Sequence, residues 1–425
     1  MFESMIHKFK LILSDESLLK RILFVLGALM VFRALAALPI PGVDVMRLQE
    51  FFSNNQFLGL MNIFSGGGLS NLSIAMLGVG PFITASIIMQ LMTVLVPKVK
   101  AMYHEEGEAG RVKFAQYSRY LSVPLAFIQG FAFLTLLTKQ GIVSEMGLMA
   151  MITNVLVVTA GSVLLMWVGE LVTEFGIGNG VSLIIFAGIV SRLPSALSQM
   201  VFSFDASQIP TYIGFAVLTV VVTAAVVFIT EAERPIPVTY ARQSRGGATS
   251  GQGVSTYLPI RVNQAGVIPI IFALSIVLFP QMLAGFLVNS HVAWVASAAS
   301  AVNTAMSNSW IYGSAYFILV FLFTFFYTAI TFEPHKMADN LQKSGAFIPG
   351  IRPGEHTTEY VGDLVTRITL VGAIFLGVVA VLPIVIQGIT GITTLTIGGT
   401  ALLIAVSVVL DLVKKVEAQI SIREY

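Results

Sequence analysis

Hydrophobic and polar positions in this chain segregate on a long scale. Apolar stretches of about bilayer length are separated by polar connections. A hydrocarbon core of about 30 Å needs roughly 20 apolar helical residues. On that rule spans are predicted at 22–39, 76–96, 119–138, 152–172, 178–199, 212–231, 267–288, 311–332, 367–387 and 394–413. In the fifth, seventeen residues separate Glu174 from Arg192, and Pro194 follows. Between span ends lies one charged residue, Arg33; the other charges fall in connections or at a span's edge. Arg33 sits about 9 Å along a helix from Pro39, close enough for its side chain to snorkel to the outer interface. The expected fold is an all-α polytopic membrane protein with ten transmembrane helices. If these divide as five plus five, the second half inserts upside down, as in inverted-repeat transport proteins. The halves are then residues 1–200 and 201–425, linked near 200–211.

The polar connections set orientation, because Lys and Arg collect on the cytoplasmic side. With the amino terminus inside, that side receives Lys8, Lys10, Lys20, Arg21, Lys98, Lys100, Arg111, Lys113 and Arg119. It also receives Arg234, Arg242, Arg245, Arg261, Lys336, Lys343, Arg352, Arg367, Lys414, Lys415 and Arg423. The opposite side holds only Arg47, Lys139 and Arg192. Ten spans with both termini cytoplasmic are consistent with this bias, whereas an odd count scatters the basic loops across both faces. Residues 1–20 alternate apolar and charged positions without a small-residue cleavage site, the pattern of a surface amphipathic helix. Connections 97–118, 232–266 and 333–366 are long, polar and rich in Gly and Pro. In the second, GGATSGQG reads as flexible; in the third, FIPGIRPG reads as a structured tip. The outer stretch 289–310 carries no Lys, Arg, Asp or Glu.

Composition narrows the function. The chain is 56% hydrophobic and 11% charged, with no cysteine, so disulfides and thiolate metal sites are excluded. Ion-coupled transporters keep ionisable groups at membrane depth, and intramembrane enzymes need a nucleophile–base pair, paired carboxylates or a metal cluster there. None of the five histidines falls within a predicted span. No catalytic residue, cofactor or metal site is expected. A passage for a bulky substrate handled by a soluble partner fits better. Glu170 and Glu174, at the cytoplasmic end of the fourth span, and the charges of 104–113 read as solvated.

Two segments stand out. Residues 57–75 are apolar on balance but hold Asn62, Ser65, Gly66, Gly67, Gly68, Ser70 and Asn71. A triple glycine makes a poor spanning helix, at about 1 kcal/mol per glycine relative to alanine. Such a piece is either a re-entrant, plug-like segment inside a protein-lined cavity or an outer surface hairpin. The second segment is a set of isoleucines. Ile83 and Ile87 share one helical face, as do Ile185 and Ile189; Ile268, Ile271 and Ile404 lie in later spans. Facing inward they form a water-excluding constriction; facing outward they merely meet lipid.

Four long motifs carry a resemblance: EEGEAGRVKFAQYSRYL (105–121), GIGNGVSLIIFAGIV (176–190), STYLPIRVNQAGVIPIIFA (255–273) and HKMADNLQKSGAFIPGIRPGEHTTEYV (335–361). In this order and over nearly the whole chain, they are similar to the SecY family, the protein-conducting channel of the general secretory pathway. The resemblance implies a clamshell of two five-helix halves with an hourglass pore. The pore ring it implies is Ile83, Ile87, Ile185, Ile189, Ile271 and Ile404, the last two placed through VIPIIFA and TALLIAV. The plug it implies is Asn62, Ile63, Phe64, Ser65, Gly66, Gly67, Gly68, Leu69, Ser70 and Asn71, within a segment reaching Ala75. A lateral gate falls between the second and third spans and the seventh and eighth, with Thr84, Gln129 and Ser275 as its polar residues. Arg242, Arg245, Arg261 and Arg352 then engage the motor ATPase SecA or the ribosome.

The implied function is conduction of unfolded secretory polypeptides across the bacterial cytoplasmic membrane, with sideways release of apolar helices into lipid. The implied partners are SecE, SecG, SecA, the ribosome, the signal sequence and translocating chain, and membrane lipid, with no specific nucleic acid sequence. Two departures bear on partner affinity. The 232–266 loop is less basic than in most relatives, with Pro235 after Arg234, and the carboxyl tail is short.

Overall fold

The computed structural model describes residues 15–40, 65, 67–69, 71–139, 141–143, 147–191, 193, 194, 198, 209–240, 255–288, 292–390 and 399–424. Residues 1–14 of the expected surface helix, the 200–208 link and the GGATSGQG stretch lie outside the described residues.

A helix occupies each of the ten predicted positions: α1 (Glu16–Ala37), α2 (Gly80–Leu95), α4 (Gly107–Lys139), α5 (Leu148–Phe175), α6 (Gly180–Val190), α7 (Ile209–Glu231), α8 (Ile268–Leu287), α10 (Ser309–Thr331), α12 (Glu355–Thr390) and α13 (Gly399–Glu424). Among the described residues three more fall in the connections: α3 (Pro97–His104), α9 (Ala293–Ser307) and α11 (Pro334–Lys343). Among the described residues, five helices qualify as membrane-crossing by length and apolarity alone; the α2–α3 pair makes six if counted as one span. That pair bends by 108°. Pro97 begins α3, which carries Lys98 and Lys100 away along the surface. α6 falls short on length, and α1 because Lys20, Arg21 and Arg33 crowd its only long windows.

Local chemistry sets the helix starts. Asp15 accepts from the backbone N–H of Ser17 (3.0 Å) and Leu18 (3.3 Å), capping α1. Asn179 caps α6 through Ser182 N–H at 3.1 Å, and Asn308 caps α10 through Trp310 N–H at 3.0 Å. The GIGNG motif has a packing reason as well. A Cβ on Gly180 would lie 1.9 Å from the carbonyl oxygen of Gly169, so only glycine lets α6 start against α5. The Thr173 hydroxyl accepts from Gly180 N–H at 2.9 Å and locks that junction.

In a membrane bundle the exposed apolar residues face lipid. Leu23, Met30 and Val31 of α1, Val220 and Phe228 of α7, and Leu322 of α10 are exposed in this way. The polar side of the fold is at the long connections 232–266 and 333–366. Here β1 (Glu233–Tyr240), β2 (Ser255–Arg261) and β3 (Ala346–Phe347) form an antiparallel sheet in the order β2–β1–β3. Ile236 pairs with Leu258, and Tyr240 with Ala346. Pro235 and Pro237 lie on the stretch of β1 that β3 does not reach, where a missing donor is tolerated. The buried alternate residues Ile236 and Val238 pack with Ile260, Ala346, Ile348, Val361 and Val365 in a core of their own. The two long loops are thus one folded lobe, which the loop composition did not reveal.

Candidate functional site

The candidate site is a buried apolar core, the waist, with a looped segment rooted beside it. Ile83 and Ile87 of α2, Ile185 and Ile189 of α6, Ile271 of α8 and Ile404 of α13 are all buried, none more than 7% exposed, and belong to one contiguous core. They come from both halves of the chain, and Leu183, Phe272, Leu274 and Leu403 fill in around them. Their burial sets aside the lipid-facing alternative for these side chains.

Of the expected plug residues, Asn62, Ile63, Phe64, Gly66 and Ser70 lie outside the described residues. Ser65, Gly67, Gly68 and Leu69 are buried and Asn71 is exposed. The Ser65 hydroxyl accepts from Leu69 N–H at 3.0 Å, and the Ser73 hydroxyl donates to Gly68 O at 3.0 Å. Leu69, Leu72, Met76 and Leu77 do not join the waist core. They pack with Phe133, Leu134 and Leu137 of α4 and Val155 and Val158 of α5. Farther along, Ala75 and Val79 rejoin the waist. The backbone is also stitched to the end of α1, by Ile40 N–H to Leu72 O at 2.8 Å and Ile74 N–H to Leu38 O at 3.0 Å.

Two residues of α5 that sequence reasoning missed form the other wall. A Cβ on Gly161 would sit 2.1 Å from the carbonyl oxygen of Ile74, so glycine is required for the segment to lie there. Next to it, the Ser162 hydroxyl donates to Gly78 O at 2.8 Å. The available signal was a small-residue pair inside an otherwise bulky span. Arg33 also takes a place here. Its Nη1 lies 3.6 Å from where a Cβ on Gly67 would be, so its head group sits beside the plug segment.

The expected gate residues are half-buried. Thr84 and Ser275 donate to the carbonyls one turn back, Gly80 O and Ile271 O, each at 3.0 Å. Gln129 lies on α4. α8 packs against both α2 and α4. Near the carboxyl end of α2, Gln90 buries its Oε1 without a hydrogen-bond partner among the described residues. Glu170 is not simply solvated: it pairs with Arg119 Nε, joining α5 to α4. Nor are the charges of 104–113 all free. His104 Nδ1 lies 2.9 Å from Glu333 Oε1, and Lys113 pairs with Glu106 at 3.2 Å.

Of the expected partner-binding arginines, Arg242 and Arg245 lie outside the described residues. Arg261 pairs with Glu233 at 3.3 Å, across the end of β1–β2. Arg352 is exposed in the turn after Ile348, and the Thr357 hydroxyl donates to its carbonyl at 2.9 Å.

Fold and site together define a polytopic helical membrane protein with a buried apolar core drawn from both halves of the chain. Residues 73–413 match the family model described as SecY. The protein translocase subunit SecY of Mycobacterium tuberculosis is 41% identical over 97% of each chain. A solved structure of a protein-conducting channel aligns with a TM-score of 0.64 at 18% identity, over 93% of this chain and 91% of that one. Canine Sec61 in a ribosome–channel complex from the endoplasmic reticulum aligns with a TM-score of 0.60 at 17% identity, over 93% and 91%. The chain belongs to the SecY family.

Proposed function

We propose that the buried isoleucines are the closed constriction through which unfolded secretory polypeptides pass, and that segment 62–71 is the plug above it. The observation that carries this reading is the convergence of six isoleucines from four helices of both halves into one apolar core. A narrow apolar constriction dewets, so a hydrated ion meets a desolvation barrier when the channel is empty. A polypeptide driven from one side can part these side chains, because they grip it by no specific bond. An apolar signal helix has a second exit. Its transfer to lipid is favourable by a few tenths of a kcal/mol per Leu or Ile, so it leaves sideways between α2–α4 and α8–α10. The halves 1–200 and 201–425 move apart about that line, with Thr84, Gln129 and Ser275 along it.

The chain supplies the path and not the energy, and has no catalytic role of its own in this reading. Arg352, with Arg242, Arg245 and Arg261, receives SecA or the ribosome on the cytoplasmic lobe; SecE and SecG complete the channel. The ribosome is favoured by the fold shared with canine Sec61 in its ribosome complex. The membrane is the bacterial cytoplasmic one, with both termini inside, as the Lys and Arg bias favours. The test is reconstitution of the chain with SecE, SecG and SecA in vesicles. An unfolded secretory precursor should enter only with ATP. Uptake of a small solute on a proton or sodium gradient, without precursor transport, overturns the reading.

A further inference from the structure

The cytoplasmic ends of the two halves are joined by a polar cluster. His104 closes α3, which follows the second span, and Glu333 precedes α11, which follows the eighth. His104 Nδ1 lies 2.9 Å from Glu333 Oε1. Lys336 Nζ lies 2.7 Å from Glu333 Oε2 and 3.5 Å from the backbone oxygen of His104, 232 residues away in sequence. The arrangement sets two helix ends against each other. The open carbonyl end of α3 receives the lysine ammonium, while the Glu333 carboxylate, at the N-cap position of α11, is taken up by His104 and Lys336 and not by the helix amides. Tyr103 holds the imidazole edge-on with ring centroids 4.9 Å apart, and is itself packed on Phe114 of α4 at 4.8 Å. Both partners are sheltered: His104 is 16% and Glu333 28% exposed. Among surface ion pairs, which contribute little, this group is set apart by its partial burial, its shared carboxylate and its long reach.

We propose that His104, Glu333 and Lys336 form a clasp across the cytoplasmic end of the lateral gate, setting how strongly a signal sequence must act before the channel opens. The proposal rests on the gate lying between α2–α4 and α8–α10, as above. Opening the gate there separates His104 from Glu333, so these bonds add to the cost of opening. The imidazole acts as a hydrogen-bond donor through Nδ1, a role that an asparagine amide can fill and a leucine cannot. These are positioning residues, since none touches the translocating chain.

The test uses the full complex in vesicles and two precursors, one with an intact and one with a charge-interrupted signal sequence. In His104→Leu and Glu333→Ala, transport of the defective precursor relative to the intact one should rise about three- to fivefold, as expected for losing one hydrogen bond of ordinary net strength at a partly exposed site. His104→Asn should return the ratio to that of the native chain. An unchanged ratio in both variants, or loss of intact-precursor transport as well, overturns the clasp. A second measurement does not depend on losing a contact. The chain has no native cysteine, so His104→Cys/Glu333→Cys can be tethered by a short reducible bis-thiosulfonate. The tether should stop transport and a reductant restore it. Transport through the tethered complex overturns the gate location and the clasp together. A blocking tether with an unchanged signal ratio overturns the clasp alone.

Discussion

Ile87 and Ile404 come from opposite halves of the chain and belong to one buried apolar core, so together they probe that core from both halves. Replacing either by asparagine places an amide where the described surroundings are apolar, which costs about 1–3 kcal/mol if the group stays dry and invites water if it does not. Ile87→Asn and Ile404→Asn are therefore expected to raise ion conductance through the resting channel in planar bilayers. Unchanged conductance in both assigns the isoleucines to packing alone. His104 offers a different residue-scale test. Burial lowers its pKa below 6.5, and Lys336, Lys100 and Arg111 reinforce this against the opposing pull of Glu333. The lowered pKa of the folded state means that its contribution is complete above pH 6.5 and is lost as pH falls through the folded value. Melting temperature compared with His104→Asn, which cannot titrate, should thus fall in the native chain as pH drops below 6.5 and not above it. A constant difference across that range shows an imidazole with no folding-linked proton.

At the scale of elements, the question is where the plug ends and its root begins. Leu72 adopts a left-handed φ of 41° although fully buried, a strained conformation kept only where the surroundings fix it. From Leu72 to Val79 the backbone is bonded to the end of α1 and seated on Gly161 and Ser162 of α5. A plug that moves should then hinge before Leu72. Pro39 and Ser73 are bridge partners. A disulfide in Pro39→Cys/Ser73→Cys should leave precursor transport within about twofold of the reduced form, given the 4.5–5.5 Å Cα spacing of such pairs. Loss of transport on oxidation shows that the root travels too. The same elements show what the pattern of residues could and could not convey. Helices at the ten predicted positions were legible as apolar runs, five of them long and apolar enough to cross a membrane among the described residues, and the glycine run at 66–68 was legible as a poor spanning helix. Which face each isoleucine presents was not, since in lipid both faces of a helix are apolar and the amphipathic signal fades. The sheet was hidden as well. Its strands hold Pro235, Pro237 and Pro259, which argue against strand locally, and β3 comes from a loop about a hundred residues later. The Gly161–Ile74 contact is a space requirement that only packing exposes.

At the scale of the whole molecule, two chemically different parts share the work. The bundle offers apolar surfaces to lipid and, in the proposed function, to the passing chain, while the polar lobe is the part proposed to receive soluble partners. That lobe is not a loose loop. Its core of Ile236, Val238, Ile260, Ile348, Val361 and Val365 ties β1 and β2 to the first turns of α12, so a force applied at the tip reaches a helix that runs into the membrane. The tip itself turns at Gly350 and Gly354, both at positive φ, and Thr357 holds the Arg352 carbonyl from the start of α12. Arg352 is thereby fixed in backbone while its guanidinium is exposed. Arg352→Glu reverses a charge without touching the lobe's core, so its effect on stability should stay within about 0.5 kcal/mol. Motor-driven precursor transport should nevertheless fall at least tenfold, because a like charge placed at a complementary interface costs several kcal/mol. Thr357→Val separates the two contributions: it loosens the turn but keeps the charge, and should reduce transport less than the reversal does. Measuring motor ATPase stimulation, precursor uptake and melting temperature on the same preparations decides the matter. Normal uptake in Arg352→Glu would make the arginine a solvated turn residue, and partner recognition would then have to be sought elsewhere on the lobe.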